Sequence, residues 1–259
     1  MNPVRLGQNF LADPNLLEAI VRESGAGAGD VVLEVGAGAG VLSRALAQRA
    51  GHLHAVELDR RLQPELSDLA EAGNVSVHWG DAMRLDLGDL RPAPTMVVAN
   101  LPYSVATPVI IRTLEQLPGV ESWTVLVQRE IADRLRAAPG GREYGSPSVI
   151  VQLAADVKLL RAVDPAVFKP RPRVRSAVLG LTRTGPAPSE PLRRVVREAF
   201  AHRRKALPRS LELARPGMLE PARAALAELG LPEDARAETL SPPQFADLAR
   251  ILGRGTSDE

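Results

Sequence analysis

Asn100-Leu101-Pro102-Tyr103 brings together residue types suited to methylating the amino group of a flat base. An exocyclic amine on adenine is a poor nucleophile, because its lone pair is delocalised into the ring. Two acceptors aimed at its two hydrogens would pull the nitrogen toward tetrahedral geometry and free that lone pair. The side-chain oxygen of Asn100 and the carbonyl of Leu101 can be those acceptors. Pro102 fixes its own φ, offers no competing N–H and biases Leu101 toward an extended shape. Tyr103 supplies a ring on which a base could stack, a contact worth about 1–3 kcal/mol. Asn-x-Pro is also an ordinary turn signal after a strand, so the tetrapeptide matters through its place in the chain.

That place is set by Val31-Val32-Leu33-Glu34-Val35-Gly36-Ala37-Gly38-Ala39-Gly40, a β-branched run ending in alternating glycines, followed by helical spacing from Val41 to Ala47. Strand, tight turn and helix open a nucleotide-binding α/β fold. A dinucleotide fingerprint would need a third glycine where Val41 stands. Gly36, Gly38 and Gly40 instead suit S-adenosylmethionine, where no pyrophosphate has to be cradled. The next strand, His52 to Asp59, carries Glu57 21 residues beyond Gly36, where an acid can accept from both ribose hydroxyls. Asn74 to Trp79 leads into Gly80-Asp81-Ala82, and Asp81 could accept from the cofactor adenine. Thr95 to Ala99 then delivers Asn100. Acids also cap helices after strands, which could account for any one of Glu34, Glu57 and Asp81, but poorly for all of them with Asn100. Successive strands thus end in candidate ligand groups, along the edge where open α/β sheets bind.

The ordered set of these motifs resembles the ribosomal RNA adenine N6-dimethyltransferases, most closely the branch that modifies two adjacent adenosines near the 3′ end of small-subunit 16S rRNA. The resemblance runs almost the whole length. It takes in Leu6-Gly7-Gln8-Asn9-Phe10-Leu11, Glu34 to Gly38, Val56 to Asp59, Asp81-Ala82, Asn100 to Tyr103, Gln128-Arg129-Glu130 and Tyr144-Gly145. It continues through Phe168-Lys169-Pro170-Arg171-Pro172-Arg173-Val174-Arg175-Ser176 and Phe200 to Lys205. It implies a Rossmann-like class I S-adenosylmethionine-dependent methyltransferase of α/β class with a small all-α C-terminal domain. Asn9, Leu11, Gly36, Glu57, Asp81 and Asn100 match cofactor contacts, and Asn100, Leu101, Pro102 and Tyr103 the catalytic loop. Phe168 matches an aromatic flanking the target base opposite Tyr103; a core aromatic at a strand start is the alternative. Its neighbours, rich in basic residues and proline, read as an exposed loop. Pro147 and Pro208 depart from the family pattern. Pro147 is harmless if it opens a helix, whereas Pro208 would break or kink an RNA-facing element.

From Phe168 to Ser210 the chain holds twelve Lys and Arg against two Glu, a net of +10 in a chain whose total is +1. A solvated face is the usual account of such a stretch, but acids are nearly absent and it abuts the base pocket. Phosphate contact is therefore expected, with Lys169, Arg171, Arg173, Arg203, Arg204 and Lys205 as RNA-binding candidates.

Residues 1–183 read as the methyltransferase domain, 184–190 as a Pro/Gly-rich linker and 191–259 as a helical RNA-binding domain with helices at Leu192–His202, Met218–Leu229 and Pro242–Leu252. Pro139 to Gly145 reads as a mobile loop that orders over substrate. No cysteine is present, excluding disulfides, zinc fingers and thiolate catalysis. The four histidines are scattered, with no third ligand expected near His52 and His54, so no metal is expected. Neither a signal pattern nor an apolar run near about 18 residues is seen, and a cytoplasmic monomer that avoids membranes is expected. The expected partner is 16S rRNA within an immature small ribosomal subunit. Alternatives are a large-subunit (23S) rRNA adenine methyltransferase of the macrolide-resistance type, a non-catalytic rRNA-binding assembly factor, and a DNA adenine methyltransferase.

Overall fold

Near-continuous apolar runs in four of the predicted strands require cover on both faces, which a parallel sheet flanked by helices provides. The computed structural model describes residues 10–11 and 13–254. They divide into two units: the residues through Ala132 together with Asp156–Arg183, and Asp133–Ala155 together with Thr184 onward.

The first unit opens with β1 (Phe10–Leu11) and α1 (Pro14–Ser24). Asp13 caps α1 by accepting from the Leu16 N–H at 3.0 Å, and Pro14 sits in the first turn, where a missing N–H is harmless. Then follow β2 (Val31–Val35), α2 (Val41–Ala47), β3 (His52–Glu57), the short α3 (Ser67–Ala70), β4 (Val75–Trp79), β5 (Met96–Asn100), α4 (Ala106–Gln116) and β6 (Ser122–Gln128). Helix α5 (Arg129–Leu135) leads out of the unit, and β7 (Ala155–Val163), β8 (Phe168–Lys169) and β9 (Ser176–Arg183) return to it. Seven strands form one sheet in the order β4-β3-β2-β5-β6-β9-β7. From β4 to β6 all neighbours are parallel, and β9 pairs antiparallel with β6, Gln128 opposite Ser176. The central strands β2, β3, β5 and β6 are buried along nearly their whole length. Edge strand β7 exposes Asp156, Lys158 and Arg161, charges that oppose pairing with another chain. The strand order reverses between β2 and β5, the switch point where such sheets bind ligands at their carboxyl ends.

The second unit is helical: α6 (Ser146–Gln152), α7 (Glu190–Ala201), α8 (Leu207–Ala214), α9 (Leu219–Glu228) and α10 (Pro242–Arg254). Asp133–Ala155, expected within the first domain, packs here instead. Tyr144 is fully buried, its ring edge-on to Phe200 at 6.0 Å, and its hydroxyl donates to the Leu240 carbonyl at 2.8 Å. The loop expected to be mobile is tied down in the same way. Gly140 N–H donates to the Glu238 carbonyl at 2.7 Å, and the Arg203 guanidinium donates to the Arg142 carbonyl at 2.6 Å. Pro147 lies in the first turn of α6, where it is harmless. Pro208 likewise lies in the first turn of α8, so it starts a helix that hydrophobic spacing did not reveal and kinks none.

His78 corrects the reading of the histidines. Its Nε2 lies 3.0 Å from Nδ1 of His54, whose Nε2 lies 2.8 Å from the Pro92 carbonyl. A carbonyl can only accept, so His54 carries its proton on Nε2 and His78 donates to Nδ1. The Nδ1 lone pair of His54 is thereby spent on His78, and among the described residues no cluster able to hold a metal occurs.

Candidate active site

The glycine turn between β2 and α2 places three glycines, Gly36, Gly38 and Gly40, at positive φ of 82°, 59° and 77°. Gly36 needs this for a second reason: a Cβ there would lie 3.3 Å from Cδ of Pro102. Its lack of a side chain lets the first turn lie directly against the Asn100–Tyr103 loop. Both Gly36 and Ala37 donate to the Val56 carbonyl, at 2.8 and 3.2 Å, which fastens the turn to β3. Between these elements lies a cavity of about 280 Å³, lined among others by Leu11, Gly36, Glu57, Asp81, Asn100 and Tyr103.

Each expected acid stands at the end of its strand. Glu57 is buried, and its two oxygens accept from the N–H groups of Gly38 and Asp59, both at 2.8 Å. Each oxygen keeps a second lone pair for a ribose hydroxyl. Asp81 accepts from the Met83 N–H at 2.8 Å through Oδ1, with Oδ2 3.7 Å from Arg84. Asn100 closes β5 opposite Leu126. The next residue, Leu101, is buried and donates its N–H to the Leu126 carbonyl at 3.0 Å, while its own carbonyl receives no hydrogen bond among the described residues. The Pro102 carbonyl accepts from Val105 N–H at 3.1 Å, closing the turn into α4. Tyr103 reaches Oγ of Ser176 with its hydroxyl at 2.8 Å.

Glu34 is the site's most unusual group; it stands with Glu57 and Asp81 among the strand-end acids but matches no expected cofactor contact. It is 1% exposed, lines the cavity, and its Oε2 has no hydrogen-bond partner among the described residues. Burial is the main cause that pushes its carboxyl up to about 8; the nearby Ser43 hydroxyl draws it down somewhat and Glu57 raises it further. Oε2 and the Ser43 hydroxyl complete no hydrogen bond among the described residues. A turn with no side chains in the way, a buried carboxylate with spare lone pairs and an orphaned acceptor fit a ligand that combines ribose, adenine and a donor-rich tail, as S-adenosylmethionine does.

The family model described as ribosomal RNA adenine dimethylase matches residues 2–253. The chain belongs to that family. Among curated relatives, a ribosomal RNA small subunit methyltransferase A from Rubrobacter xylanophilus is 46% identical over 252 residues, covering 96% of this chain and 94% of the relative. A protein of the same name from Deinococcus radiodurans is 43% identical, covering 96% and 85%. Among solved structures, a dimethyladenosine transferase from Plasmodium falciparum has a TM-score of 0.80 at 21% identity, covering 95% and 98%, a likeness of fold. The 23S rRNA methyltransferase ErmE has a TM-score of 0.69 at 26% identity, covering 95% and 100%.

In this adenine dimethylase, two expectations change. Phe168 is 2% exposed and packs in the hydrophobic core with Leu11, its partner across the β1–β8 pair. The basic, proline-rich loop after it is exposed, but the ring points inward because two paired strands carry it into the core. Arg203, expected on phosphate, ion-pairs with Glu238 at 2.8 Å and binds loop carbonyls. Arg183, counted in the same basic stretch, lies 5.1 Å from the Trp123 ring and donates to the Val120 carbonyl at 2.6 Å. Lys169, Arg171 and Arg173 in the first unit, and Arg204 and Lys205 in the second, are exposed. Asn9 lies outside the described residues, while Leu11 lines the cavity.

Proposed function

We propose that this protein uses S-adenosylmethionine to dimethylate the N6 amino groups of two adjacent adenosines near the 3′ end of 16S rRNA. In this reading it acts as a cytoplasmic monomer on an immature small ribosomal subunit. The observation that carries it is Asn100 and the Leu101 carbonyl at the carboxyl end of β5, beside the glycine turn and bordering the same cavity.

The bound cofactor supplies a methyl group already activated on sulfur, so the protein's task is alignment. Glu57 accepts from the ribose hydroxyls and Asp81 from the cofactor's adenine. Gly36 and Leu11 let the ligand lie close to the backbone. Asn100 Oδ1 and the Leu101 carbonyl take the two hydrogens of the target amine, localising its lone pair toward the methyl carbon. Tyr103 stacks on the base and holds it edge-on to those acceptors. No strong base is needed, since the methylated nitrogen can release its proton to solvent. Lys169, Arg171, Arg173, Arg204 and Lys205 hold phosphates.

A 23S target is the second reading, favoured by the fold shared with ErmE; identity of 26% there against 46% to a small-subunit relative favours 16S. Labelled cofactor offered in parallel to undermethylated small subunits, large subunits and duplex DNA tests the proposal. Transfer to small subunits, ending in dimethyladenosine at neighbouring positions, is expected. Label on large subunits or DNA alone would overturn it.

A further inference from the structure

Tyr103 belongs to a turn between β5 and α4, outside any regular ladder. A ring in such a place can swing about two side-chain torsions, and a swinging platform cannot define the plane of a base. Two contacts restrain this one. Val105 N–H donates to the Pro102 carbonyl at 3.1 Å and tightens the turn beneath the ring. At the far end, the phenol oxygen lies 2.8 Å from Oγ of Ser176. Ser176 is itself rigid: it is 1% exposed, opens β9 and is registered opposite Gln128 of β6. The contact joins residues 73 positions apart and exists because β9 is inserted beside β6. We propose that Ser176 is a positioning residue for the target base, holding the phenol of Tyr103 so that the ring keeps one plane against the cavity. Burial raises the phenol pKa, so the hydroxyl stays protonated and able to hydrogen-bond at neutral pH.

The inference rests on Tyr103 being the stacking platform. Ser176→Ala, Tyr103→Phe, their double variant, Ser176→Thr and Tyr103→Ala are compared with undermethylated small subunits as substrate. Thermal midpoints and S-adenosylhomocysteine affinity are measured alongside. One hydrogen bond of ordinary net strength predicts that Ser176→Ala and Tyr103→Phe each lower kcat/KM by about three- to tenfold. The double variant should be no worse than either single, Ser176→Thr should recover most of the loss, cofactor affinity should be unchanged, and the midpoint should fall only slightly and by the same amount in both singles and the double. Tyr103→Phe reports the same bond from the other side should Ser176→Ala fold poorly. Losses that multiply in the double variant, or a Ser176→Ala loss that follows the midpoint, overturn the inference. An impaired Tyr103→Ala beside unaffected Ser176→Ala and Tyr103→Phe overturns the positioning role alone. An unaffected Tyr103→Ala overturns the platform as well.

Discussion

Replacing Glu34 with glutamine in the cofactor-free protein should change how stability depends on pH. In the folded chain the carboxyl is raised from 4.5 to about 8, chiefly by burial. The sign follows from linkage: the unfolded chain ionises above its lower pKa, while the folded chain still holds the proton. The folded state is therefore unpenalised below the unfolded value and loses stability as pH rises toward about 8, where the penalty levels off. At about 1.4 kcal/mol per pH unit, the full penalty is about 5 kcal/mol, of which about 3–4 kcal/mol accrues between pH 5 and 8. Glutamine has nearly the same shape and cannot ionise. Urea unfolding of both proteins at several pH values from 5 to 8.5 gives the difference in free energy directly. That difference is the readout because the His54–His78 pair titrates with the opposite sense. Burial lowers both pKa values, so their contribution is lost as pH falls through the unfolded histidine value. The histidines are common to both proteins and cancel. The stability advantage of Glu34→Gln should grow steadily with pH; a difference flat across this range would refute the buried, neutral acid.

Asn100→Ala should abolish methyl transfer while leaving cofactor binding largely intact, and a variant with full activity would remove the proposed mechanism. Gly36→Ala forces a Cβ to 3.3 Å from Pro102 at a φ of 82°. It should destabilise the fold by about 1–2 kcal/mol in chemical unfolding and weaken cofactor affinity in calorimetry. Phe168→Ala should lower the unfolding free energy by about 3–5 kcal/mol, as for a buried core aromatic; a stable variant defective only in base capture would restore the flanking role. Arg204→Glu should weaken rRNA binding and flatten its salt dependence, whereas Arg203→Glu should lower the thermal midpoint by breaking the Glu238 pair. Filter binding across a salt series, with melting curves on the same samples, separates the two.

Several features of this protein were legible in the residues because they are local. Alternating glycines after a β-branched run favour a tight turn, since glycine reaches positive φ without steric cost, and the structure has all three glycines there. An Asp-Pro pair marks a helix start, and Pro147 marks another, because a missing N–H is tolerated only in a first turn. Glu57, Asp81 and Asn100 end up around one cavity because parallel strands all deliver their carboxyl ends to one edge. What spacing could not determine is which distant side chains meet. Whether Phe168 faces solvent or core depends on its pairing with β1, and whether Arg203 is a free cation depends on Glu238, 35 positions later. Asp133–Ala155 follows the strands in sequence but packs with the helices, since the Tyr144 ring and hydroxyl find their partners at Phe200 and Leu240. Ser176 meets Tyr103, and Glu34 is buried without gaining a hydrogen-bond partner at Oε2 among the described residues, only once the sheet has closed around them. Backbone conformation answers to neighbours in the chain. Burial, pairing and protonation answer to neighbours in space, and those are set by strand order.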